Sequence, residues 1–199
     1  MTHAVHPAHL AGAAGFAAST CLWFVMMAVM MAPTVSPWVR AYARFGDGSP
    51  LWFASGYLVA WFGYSAAAAA VQIYLHAPAS LAPAAFLLAG VYQLTPFKRA
   101  CLTHCRNPFG YLLARWRRGP SSGFRIGVAH GIYCIGCCWA LMATMLGVGL
   151  ASAWWMLALA AIALVEQAVP HGDALRVPLG VALIATAAAA IGRMWLIAL

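Results

Sequence analysis

Six apolar segments with almost no charge inside them follow one another along this chain, at residues 10–32, 51–75, 79–95, 124–150, 153–170 and 177–198. A water-soluble domain of 199 residues has no place to hide so much apolar surface, whereas lipid solvates it directly. Composition agrees: only 7% of the residues are charged, against about 25% in soluble domains. Inside a bilayer, only helices and closed barrels satisfy their own backbone groups. Nothing here alternates with period two, so the expected fold is all-α. It is a polytopic transmembrane bundle of about six helices, forming a single integral membrane domain over 1–199. The first segment is long enough to span and has no basic residue before it, which reads as a retained helix rather than a cleaved signal. The third is short for a full crossing and must tilt or thin the bilayer.

The formal net charge is +8. Its distribution points away from nucleic acid, because the basic residues sit between apolar segments on one side only. Arg40 and Arg44 follow the first segment. Lys98, Arg99, Arg106, Arg115, Arg117, Arg118 and Arg125 lie between the third and fourth or at its edge, and Arg176 precedes the sixth. The remaining connections carry neither Lys nor Arg. This asymmetry predicts a multi-pass protein of a bacterial inner (plasma) membrane, with its N-terminus outside and the basic loop 96–123 in the cytoplasm. Phe97, Leu102, Tyr111, Leu112 and Trp116 interleave with the cations of that loop, as in a basic amphipathic segment lying on an anionic membrane face. Arg115, Trp116, Arg117 and Arg118 are its candidate contacts to lipid or a partner. Small residues, including Gly56, Gly63 and the alanine runs 66–70 and 187–190, allow helices to approach closely.

The residues with most chemistry lie in the fourth segment. On a helix, His130, Cys134, Cys137 and Leu141 share one face, and Cys138, Met142 and Met145 continue an adjoining stripe. Imidazole, thiolate and thioether together suit a soft cation such as Cu(I). Neutral cysteine also packs as a small hydrophobe, so the same residues fit tight helix contact without a metal. Met26 and Met30 share a face of the first helix, Met27 and Met31 the next. By the expected topology they lie at the same membrane depth as His130 and Cys134. Glu166 is a carboxylate within the fifth segment, and such a group must pair, protonate or bind a cation. Cys101, His104 and Cys105 share a helix face in the basic loop, an incomplete soft-metal set by themselves. His3, His6 and His9 form a weak compositional hint of metal binding on the N-terminal tail.

Several blocks carry a wider pattern: WFVMMAVMMAP at 23–33, GYLVAW at 56–61, GVYQLTPFKRACLTHCR at 90–106, HGIYCIGCCWALM at 130–142, and Glu166 with Pro170. Through these the chain resembles a family of predicted metal-binding integral membrane proteins, a domain of unknown function distinguished by its YQLTPFK and YCIGCCW blocks. The resemblance implies bound metal, copper before zinc, and a small partner protein. One departure is Gln167, where relatives carry a basic residue after the glutamate, which leaves Glu166 without an adjacent cation.

The expected ligands are therefore His130, Cys134, Cys137, Cys138, Met26, Met30 and Glu166, with Cys101, His104, Cys105, Met27, Met31 and Met142 as secondary candidates. The leading function is copper handling, delivery or translocation in the membrane. The alternatives are a subunit of a copper-dependent membrane oxygenase or oxidoreductase acting on an apolar substrate, and a non-catalytic assembly subunit of a larger complex. No hydrolase triad, phosphate loop or dinucleotide fingerprint suggests other chemistry.

Overall fold

The computed structural model describes residues 12–45, 49–74, 81–115, 120–148 and 152–198, and all regular structure among them is helical. The helices are α1 (Ala13–Phe45), α2 (Pro50–Tyr74), α3 (Ala82–Leu94), α4 (Pro96–Cys105), α5 (Pro108–Arg115), α6 (Pro120–Val148), α7 (Ala153–Ala168) and α8 (Arg176–Ala198). A single 3-10 turn, Gly172–Leu175, leads into α8.

Four stretches are long and apolar enough to cross a membrane: Ala13–Arg44, Pro50–Tyr74, Ser121–Val148 and Gly172–Leu196. The six expected spans thus resolve into four long helices and two shorter apolar ones, α3 and α7. The first segment also runs further than expected, because α1 continues through Pro33 and Pro37. A proline inside a helix leaves the carbonyl four residues earlier without its amide partner. Ser36 supplies one replacement, its hydroxyl donating to the Pro33 carbonyl at 3.0 Å. Beyond the prolines, Trp38, Ala41 and Tyr42 are buried with Phe53, Leu112 and Ile126 in a small second core, so packing holds the extension helical.

The basic loop expected over 96–123 contains two helices. Thr95 both ends α3 and caps α4: its hydroxyl donates to the Tyr92 carbonyl at 2.7 Å and accepts from the Lys98 amide at 3.3 Å. Pro96 follows at the first helical position, where its missing N–H costs nothing. The chain therefore turns within one residue, and α4 presses Lys98, Cys101, Leu102 and Cys105 inward. Their spacing of three, one and three makes a single helix face.

α6 is the central helix. It packs against α2, α3 and α4, while α1 packs chiefly on α2 and α7, and α8 on α3. The α2–α6 contact depends on small residues. A side chain on Gly56 would strike the backbone of Phe124, and one on Gly127 the backbone of Phe53. Gly63, by contrast, faces open space and supports no contact. Contacts at the two ends fix the bundle's polarity. Trp23 of α1 meets Gln72 of α2, and Trp155 of α7 meets Thr144 of α6, at one end. The opposite end gathers Arg106, Asp173, Arg176, Gln93 and Thr95.

Candidate metal centre

Cys134, Cys137 and Cys138 lie near the middle of α6, with their sulfurs all within 4.8 Å of one another. Each is at most 2% exposed. The Cys137 and Cys138 thiols both donate to the Cys134 carbonyl, at 3.0 and 2.9 Å. These bonds fold the two side chains back along the helix, and the sulfurs converge on one side of it. The Cys134 sulfur faces the Tyr57 hydroxyl of α2 at 3.4 Å and Gln167 Oε1 of α7 at 3.8 Å.

α4 brings further thiols to the group. Cys105 of α4 is 4% exposed and turns inward, in the same buried core cluster as Cys134 and Cys137. The neighbouring Cys134 and Cys137 thiols, then burial, push the Cys105 thiol well up from its ordinary value. Cys101 lies beside Cys137, and its sulfur packs where a side chain on Gly136 would stand. Burial first, then Cys137, raises the Cys101 thiol as well. Thiols gathered in a low-polarity interior suit a soft cation, and the α6 group alone supplies three of them.

His130 lies one turn before Cys134 and is 1% exposed. Its ring stacks on Trp38 at 3.8 Å between centroids, with Tyr57 at 5.6 Å and Phe53 at 5.9 Å. Its Nδ1 has no hydrogen-bond partner among the described residues. Trp38 in turn donates from its indole nitrogen to the Cys105 carbonyl at 2.9 Å, so one side chain orients both His130 and the C-terminal end of α4. His104 stacks on Tyr133 at 3.6 Å, beside the same indole.

The methionines of α1 are buried as well. Met26, Met27, Met30 and Met31 belong to the same continuous core cluster as Cys101, Cys105, the three α6 cysteines, Met142 and Met145. The Met31 sulfur also accepts from the Thr34 hydroxyl at 3.8 Å.

Glu166 is occupied elsewhere. Its Oε2 pairs with Lys98 Nζ at 2.7 Å, both side chains being at most 2% exposed, and its Oε1 accepts from Gln93 Nε2 at 3.1 Å. Arg106 donates to the Glu166 backbone carbonyl at 2.6 Å. The carboxylate is thus paired with a cation of the basic loop, a lysine rather than an arginine, 68 residues away, and the absence of a basic residue at 167 does not isolate it. Gln167 instead turns toward Cys134. Lys98 and Gln93 are the residues that sequence reasoning missed. Both lie in the YQLTPFK block, where Lys98 reads as one more topological cation. Trp116, Arg117, Arg118, the Arg115 side chain and the three N-terminal histidines lie outside the described residues.

A family model described as a copper chaperone matches residues 20–190, which covers α2 to α7 and most of α1 and α8. No curated protein and no solved structure matches the chain.

Proposed function

Because the chain belongs to the PpoB2 copper chaperone family, we propose that it carries Cu(I) within a membrane, at the thiols of α6, and passes it to an acceptor protein. The observation that carries this reading is the group of three buried sulfurs within 4.8 Å of one another. Copper here is cargo. A soft ion in an apolar bundle needs anionic sulfur to compensate its charge, and each thiol that binds it gives up a proton. Low-coordinate thiolate binding also suits delivery, because an incoming acceptor thiol can add before a resident one leaves. The thioethers of Met26, Met27, Met30, Met31 and Met142 offer weaker sulfur ligands in the same core, suited to transient contact with copper on its way in or out.

The same reading makes Lys98 and Glu166 positioning residues. The pair ties α4 to α7 and so sets where Cys101 and Cys105 stand relative to α6. The proposed setting is a bacterial inner membrane, with the N-terminus outside and the arginine-rich end in the cytoplasm. Its support is that Arg40, Arg44, Arg99, Arg106, Arg125 and Arg176 fall in or beside the helix ends that meet there.

Metal analysis of the purified chain after anaerobic loading with Cu(I) tests the reading. Wild-type protein should retain copper against a competing chelator, and Cys134→Ser or Cys137→Ser should lose most of it while remaining helical. Retention by both variants, or none by the wild type, overturns the proposal.

A further inference from the structure

We infer that the copper site is polynuclear: Cys101, Cys105, Cys134, Cys137 and Cys138, drawn from α4 and α6, hold several Cu(I) ions bridged by shared sulfurs. This rests on the copper reading above and extends it, in stoichiometry and in the second helix that supplies ligands.

The first ground is the number of thiols gathered. Three sulfurs of α6 form a compact group, and α4 turns Cys101 and Cys105 into the same buried cluster, with the Cys101 sulfur set against Gly136 of α6. A single Cu(I) is low-coordinate and leaves part of such a set unused. Thiolate sulfur bridges readily between soft ions, and five cysteines in one buried core cluster are a ligand set for several of them.

The second ground is charge. One Cu(I) on three thiolates leaves a net negative charge in a medium that penalises it heavily. Among the described residues the buried ammonium, Lys98, is already committed to Glu166. Further Cu(I) ions on bridging sulfurs remove the excess charge without another protein cation.

The third ground is how α4 is fixed. Lys98 holds its first turn to α7, and the Trp38 indole holds the Cys105 carbonyl at its last. Between them, Gly136 leaves the space that the Cys101 sulfur fills: a methyl group there would come within 2.8 Å of it. α4 is thus clamped at both ends, with its two thiols over the α6 group.

The test uses the full chain, purified as a monomer in detergent and titrated anaerobically with Cu(I) against a chelator. Copper per chain and X-ray absorption at the copper edge are the readouts. The expected result is more than one tightly held copper per chain, with a copper–copper scattering path. Cys101→Ser/Cys105→Ser should lower the stoichiometry to a single copper and abolish that path, and Gly136→Ala, which displaces the Cys101 sulfur, should lower it partially. One copper per chain in the wild type, without a copper–copper path, overturns the cluster and leaves the chaperone reading intact. No copper at all overturns both. Unchanged stoichiometry in folded variants overturns the assignment of α4; should the double variant fail to fold, Gly136→Ala and the wild-type spectrum decide.

Discussion

Lys98 and Glu166 show how much a single side chain can matter in this bundle. Each is an ion removed from water, tolerable only because the other stands 2.7 Å away and Gln93 covers the remaining oxygen. Removing one partner strands the other. Lys98→Met alone should destabilise the protein by about 3–5 kcal/mol, whereas Lys98→Met/Glu166→Leu should recover most of that loss. Chemical unfolding in detergent of the two singles and the double measures the coupling; a double variant no more stable than the singles would refute it. The pair also marks a limit of local pattern. Steps of four and three along one helix were enough to put His130, Cys134 and Cys137 on one face of α6. No local spacing could show that Lys98 would meet Glu166, because the contact is made by how α4 packs against α7. For the same reason Cys101 and Cys105 read as an incomplete site of their own, when the fold lays them against the α6 thiols.

Among the elements, the α2–α6 crossing depends most on the absence of side chains. Gly56 and Gly127 each sit where an added carbon would collide with the partner's backbone, so the two helices approach to main-chain contact. Gly127→Val should split this crossing and yield protein that aggregates or loses its sharp unfolding transition. Gly63→Ala, on the same α2 but facing open space, should be neutral or stabilising by about 0.5–1 kcal/mol. Size-exclusion profiles and thermal unfolding of both variants check this pair of outcomes. Element boundaries were less legible than element existence. The first apolar segment was expected to end at residue 32, just before Pro33, whereas packing of Trp38 and Tyr42 beyond the two prolines carries α1 on to Phe45. The start of α4 was written in Thr95 and Pro96, a capping residue followed by proline, but the basic residues around it invite a reading as an amphipathic segment on the membrane face rather than a helix packed into the bundle.

Across the whole molecule, the topology can be probed at sites whose exposure is known. Cys101 and Cys105 are buried and make poor reporters, whereas Ser121 and Ala153 are exposed at opposite ends of the bundle. In a Cys21→Ser background, a membrane-impermeant maleimide should label Ser121→Cys only from the cytoplasmic side and Ala153→Cys only from outside. The reverse pattern would invert the proposed orientation. The ammonium of Lys98 and the carboxylate of Glu166 cancel each other, so the buried ions among the described residues leave no net charge with which to receive a cation. On the proposed function, each copper ion that enters displaces a proton from sulfur. Loading should then be electrically silent: a pH-indicator dye would record about one proton released per copper bound, and a voltage imposed across a vesicle would leave the extent of loading unchanged.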